Sequence, residues 1–170
     1  NDFVILGPKN DPAKVIGIKI ASEAFKKVSA AKALFVSRGD NSGTHKKEKA
    51  IWKDSGVSPQ KDAYLEVGQG MAQTVAVANE KTGYVLADRS IYLSLRKSID
   101  LVVVCEGDQA LINRYSLILV NPDKFPKVNA KGAQMLFNFL LSKESREIIE
   151  DFGRAKFGQQ LFFWDLKDDT

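Results

Sequence analysis

Along the chain, short apolar runs alternate with stretches of helical periodicity, the pattern of strands joined by helices around an α/β sheet. Phe3 to Leu6 reads as the first strand, closed by Gly7 and Pro8. Beyond Asp11 and Pro12, Ile20, Ala24, Phe25 and Val28 recur at helical spacing, and Leu34 to Val36 reads as the second strand. A helix is expected from Ser42 or Gly43 to Gly56 and another from about Gly70 to Asn79, with only a brief strand candidate ahead of Gly68. Then come a strand at Tyr84–Leu86, a short helix after Asp88 and a strand at Leu101–Val104. Asn113 to Val120 is apolar and β-rich, stops at Asn121 and Pro122, and leads to a helix with Met135, Leu136, Phe139 and Leu140 on one face. Ser142 followed by Lys143, Glu144 and Ser145 predicts a capped restart, ending near Gly153. The aromatic tail Phe162, Phe163, Trp164 is expected to pack.

Composition narrows the class. The 170 residues suit one domain or one and a fraction, and 44% hydrophobic with 27% charged residues excludes a disordered chain. No apolar run approaches the roughly 20 residues of a bilayer span. The lone Cys105 lies in an apolar run, which rules out an internal disulfide and predicts a buried, inert thiol. The chain starts at Asn1 with neither initiator Met nor a charged-then-apolar signal, and so reads as a mature or truncated piece. Lys and Arg total 25 against 21 Asp and Glu. This excess is spread among acids, as in Lys46-Lys47-Glu48-Lys49, which reads as solvated helix faces and argues against nucleic acid.

Most catalytic templates fail on inventory. His45 and Cys105 alone cannot build an imidazole or thiolate metal site, and no Gly-x-Ser-x-Gly turn presents a nucleophile to His45. Gly68-Gln69-Gly70 lacks the third glycine of a dinucleotide fingerprint. The informative segment is the polar loop between the second strand and the helix that carries Ala50, Ile51 and Trp52. Such a loop aims unpaired N–H groups and a helix dipole at an anion; Ser37, Ser42 and Thr44 add hydroxyls, Gly39 and Gly43 allow close approach, and Arg38 adds a fork of donors. The alternative is a helix capped by Ser42 with Arg38 paired to Asp40 on the surface. An enzyme acting on a phosphate or sulfate ester would have only His45 and Asp40 nearby as bases.

The run Ser37-Arg38-Gly39-Asp40-Asn41-Ser42-Gly43-Thr44-His45, with Gly68-Gln69-Gly70-Met71 and Tyr84-Val85-Leu86-Ala87-Asp88-Arg89 after it, resembles the extracytoplasmic tungstate-binding proteins of ABC importers, within the periplasmic-binding-protein superfamily of type II topology. Asp2 to Pro8 resembles that family's first strand between lobes, and Tyr115 to Pro122 the returning one. The resemblance implies two α/β lobes joined by hinge strands, with an oxyanion clamped between them and no cofactor, catalytic residue or protein-held metal. Residues 1–121 would form the second lobe with both hinge strands lying side by side. Residues 122–170 would form a helical segment returning toward a first lobe that is largely absent from this chain, leaving an apolar surface around Met135–Leu140.

Carried over by position, Arg38 is the principal cation and Thr44 a hydroxyl or backbone donor, with Ser37, Ser42 and Gly43 beside them. Gly70 and Met71 open a second helix aimed at the cleft, and Arg89 reaches the anion or holds Asp88. The implied ligand is tungstate or molybdate, passed to a membrane permease outside the cytoplasm. An oxyanion-sensing regulatory domain of the same fold is the alternative.

Overall fold

The computed structural model describes residues 1–164. Its two compact units are Asn1–Asn113 and the residues from Arg114 onward, where the sequence reading placed the division after Asn121. The final stretch of the expected 122–170 segment, residues 165–170, lies outside the described residues.

The first unit contains β1 (Phe3–Gly7), α1 (Ala21–Ala30), β2 (Phe35–Ser37), α2 (Gly43–Ser55), β3 (Tyr64–Glu66), α3 (Met71–Glu80), β4 (Tyr84–Asp88), α4 (Arg89–Leu95) and β5 (Val102–Cys105). Single 3₁₀ turns at Lys61–Ala63 and Gln109–Leu111 were not anticipated. The strands form one sheet in the order β3-β2-β4-β1-β5. β2 runs parallel to β3 and β4, while β1 runs antiparallel to both β4 and β5.

Every residue of β1 is buried, because helices cover both faces of the sheet and the strand carries apolar side chains on both. Phe3 and Ile5 join one core with Phe25, Phe35, Trp52 and Tyr84, against α1 and α2. Val4 and Leu6 join the other with Val36, Met71, Val75 and Val85, against α3. In the first core the Phe25 ring lies 4.8 Å from Phe35 and 4.4 Å from Trp52, in tilted and edge-on arrangements that suit aromatic quadrupoles. Gly7 has no room for a side chain, since a Cβ there would lie 2.5 Å from the Tyr84 ring. The Tyr84 hydroxyl donates to Asp11 at 2.7 Å and accepts from the Ala13 N–H at 3.0 Å, tying the long β1–α1 loop to the sheet.

The second unit holds α5 (Ala130–Leu140), α6 (Lys143–Asp151) and the short α7 (Arg154–Phe157), the last unforeseen. Ser142 caps α6 as expected, its hydroxyl accepting from the Ser145 N–H. Phe162 packs against Tyr115 and Phe152, whereas Phe163 stays exposed. No residue of α5 is buried, and Met135, Leu136 and Phe139 lie open. The strand expected over Asn113–Val120 does not form among the described residues. A β-prone sequence needs a ladder partner to become a strand.

Cys105 is buried at the end of β5, and burial pushes its thiol up to about 11. Native protein at pH 8 should therefore resist a chromogenic disulfide reagent, and one thiol per chain should react once denaturant is added. Rapid labelling of the native form would contradict this packing.

Candidate functional site

The carboxyl ends of β2, β3 and β4 share one edge of the sheet, so the N-termini of α2, α3 and α4, which follow them directly, face that edge too. Because β1 is reversed, its first residues arrive at the same edge: Phe3 pairs with Asp88, and Ile5 with Cys105 at the end of β5.

Between β2 and α2 the backbone turns through Gly39 (φ +63°) and Asn41 (φ +58°), both left-handed. A Cβ on Gly39 would lie 2.7 Å from the Glu66 Cβ, so both shape and dihedral call for glycine. The loop is pinned from β3, where the Val67 N–H donates to the Ser37 carbonyl and the Gly68 N–H to that of Arg38. Ser42 is the N-cap of α2, its Oγ accepting from the His45 N–H at 3.4 Å. The Arg38 Nη2 donates to Asp40 Oδ2 at 2.5 Å. Hydrogen bonds from Ser42, and then from the guanidinium, hold the Asp40 carboxyl below the usual carboxylate range. The cap-and-pair alternative is therefore what this conformation adopts. Arg38 Nε is buried and has no partner among the described residues.

The other expected contacts divide. Thr44 is 9% exposed in the first turn of α2, next to Gly43. Ser37 departs from its expected role as an anion donor, because its buried hydroxyl gives its proton to Glu48 Oε2 at 2.6 Å and accepts the Gly39 N–H at 3.2 Å. Gly70 starts α3 with no side-chain cap and no acid in the first turn. Met71 turns its side chain into the second core, so only its N–H faces the edge. Arg89 does not hold Asp88. Its Nε and Nη2 grip both oxygens of Asp2, at 2.7 and 2.6 Å, and Nη2 also reaches Glu106 at 2.8 Å. Asp88 instead caps α4 through Ser90 and accepts from Asn1. The carboxylate partners raise the guanidinium pKa further above its ordinary value.

One buried residue reads differently in the sequence. Glu48, read as part of a solvated charge run, is 2% exposed and accepts from Ser37, Tyr64 (2.7 Å) and Trp52 (3.2 Å). Burial pushes its carboxyl up, against the hydrogen bonds that favour ionisation. The missed signal was helical phase, since Glu48 shares a face with Thr44, Ile51, Trp52 and Ser55. His45 is also buried; its Nδ1 accepts the Asn41 N–H at 3.0 Å and Nε2 lies 3.7 Å from Glu66, so the ring braces the loop. Among the described residues no cluster of His, Cys, Asp and Glu could hold a metal ion, and no helix is long and apolar enough to cross a membrane.

Residues 1–144 match a family model described as a PBP superfamily domain. The chain is similar to the tungstate-binding protein TupA of Peptoclostridium acidaminophilum, at 41% identity over 170 residues, covering 95% of this chain and 57% of that protein. It thus spans little more than half the length of that curated relative. Among solved structures, the tungstate-binding protein TupA from Desulfovibrio alaskensis G20 superposes with a TM-score of 0.83 at 41% identity, covering 98% of this chain and 68% of that one. The tungstate ABC transporter structure from Geobacter sulfurreducens gives 0.78 at 44% identity, covering 89% and 65%.

Replacing Arg89 by Ala leaves Asp2 and Glu106 side by side without their shared cation. The expected loss of stability is about 1.5–3 kcal/mol, the scale of charge-assisted hydrogen bonds, read as a lower urea midpoint at unchanged slope. An unshifted midpoint would show that the fork does not hold these strand ends together.

Proposed function

Since the chain belongs to the PBP superfamily, we propose that it forms the ligand-binding lobe of an extracytoplasmic solute-binding protein. This protein captures a tetrahedral oxyanion, taken here as tungstate, and delivers it to the membrane permease of an ABC importer. The observation that carries the reading is the meeting, at one sheet edge, of Arg38, whose buried Nε has no partner among the described residues, and the N-termini of α2 and α3, neither of which has an acid in its first turn. A dianion stripped of water needs donors and positive potential on every side, and this edge offers both. The names of the similar proteins supply the choice of tungstate.

In this reading Arg38 provides the full charge. Gly43, Thr44, Gly70 and Met71 donate backbone N–H groups, while Ser37, Ser42 and Arg89 hold the frame. Residues 1–121 make the second lobe, and residues 122–170 return toward a first lobe that closes the site from the other side. The open apolar face of α5 suits burial against such a partner.

Calorimetric titration of the full-length protein with tungstate, molybdate and sulfate tests the proposal. Arg38→Ala should weaken tungstate binding by about 2–5 kcal/mol, as for other desolvated charged partners. Arg38→Lys should also bind more weakly, because an ammonium cannot reproduce the planar fork. A wild type indifferent to all three anions, or an Arg38→Ala variant that binds like wild type, would overturn the reading.

A further inference from the structure

We propose that Glu48 is a positioning residue for the oxyanion site, its buried carboxylate holding the Ser37–Gly39 turn, and Arg38 within it, in fixed register with the N-terminus of α2. The inference rests on the oxyanion reading above and adds a residue that contacts no ligand.

Glu48 gathers donors from three elements: Ser37 at the end of β2, Trp52 on α2 and Tyr64 at the start of β3. The Ser37 hydroxyl has one proton, and giving it to Glu48 Oε2 fixes the direction of its lone pairs. One of those accepts the Gly39 N–H. A chain of carboxylate, hydroxyl and amide therefore spans the residue between them, which is Arg38. The Arg38–Asp40 pair cannot do this alone, because Asp40 belongs to the same loop and its other bonds go to Ser42 at the cap. Glu48 ties the loop to the body of α2 and to β3 through side chains, beside the backbone bonds from Val67 and Gly68 and the His45 bond to the Asn41 N–H.

Charge and geometry make opposite predictions here. A buried negative charge beside an anion site opposes binding by Coulomb repulsion, so removing it would tighten binding if charge were all that mattered. Geometry predicts the reverse. A glutamine presents an amide N–H₂ where three donors converge; turned toward Ser37, it makes that hydroxyl an acceptor, frees its proton and turns away the lone pair that holds the Gly39 N–H.

In the full-length protein, tungstate titrations would compare wild type, Glu48→Gln, Ser37→Ala, the double variant and Tyr84→Phe. The last removes a buried hydroxyl that holds the β1–α1 loop, and so controls for lost stability alone. Glu48→Gln and Ser37→Ala should each weaken binding by about tenfold or more, the scale of one charge-assisted hydrogen bond, with the double variant no worse than either and Tyr84→Phe unchanged. Without ligand, the Gly39 amide should exchange its hydrogen faster in Glu48→Gln than in wild type. Unchanged or tighter binding by Glu48→Gln, additive losses in the double variant, or an unaltered Gly39 exchange rate overturns the positioning role while leaving the oxyanion reading intact. A wild type that binds no oxyanion overturns both.

Discussion

A single reversed strand sets the geometry of this molecule. β1 lies between β4 and β5 and runs against both. Being buried on both faces, it anchors the cores above and below the sheet; each large aliphatic side chain so buried contributes roughly 1.5–3 kcal/mol. Its direction matters as much as its burial. A strand parallel to β4 would carry its first residues to the far end of the sheet, whereas the reversed one brings Asn1 and Asp2 to the edge where three helices begin. Asn1 then bonds Asp88, and Asp2 meets Arg89. The frame of the candidate site is thus a product of sheet topology.

That edge holds two arginines whose situations differ. Arg89 has Nε and Nη2 engaged by Asp2, and Nη2 shared with Glu106, carboxylates on the residue before β1 and the residue after β5. It staples strand ends. Arg38 pairs through Nη2 with an acid of its own loop and keeps a buried Nε without a partner among the described residues. A guanidinium with an orphaned buried donor is incomplete in a way that a fully forked one is not, since an unmet buried polar group costs about 1–3 kcal/mol. An added acceptor near Arg38 would relieve that cost.

Legibility in the sequence followed the range of the interaction. β1, β2, β4 and the caps by Ser42 and Ser142 are readable from short apolar runs and cap residues. β3 spans only Tyr64–Glu66 and exists because the edge of β2 is available to pair with. Residues 114–120 show the converse, with strong β propensity and no strand. The partner of Arg89 lies 87 positions away, and only the reversal of β1 brings it near. Glu48 was readable in principle from helical phase, but its run of lysines argued for solvent, and local composition outweighed the period.

The loop at Ser37–His45 admitted two readings, a capped helix with a surface pair or an anion cradle, and counting its amides shows that the first does not exclude the second. An α-helix begins with four N–H groups that lack intrahelical acceptors. In α2 the Ser42 N–H is taken by Asp40 Oδ1 and the His45 N–H by Ser42 Oγ, while the Lys46 N–H opens the regular ladder to the Ser42 carbonyl. The amides of Gly43 and Thr44 are the two that remain. Capping therefore consumes the donors at either side and leaves a central pair, adjacent in sequence and borne by a residue with no side chain and one with a small one. The cap residues fix the direction of the first turn, which is what a pair of fixed donors requires if it is to meet an acceptor from outside without reorganising.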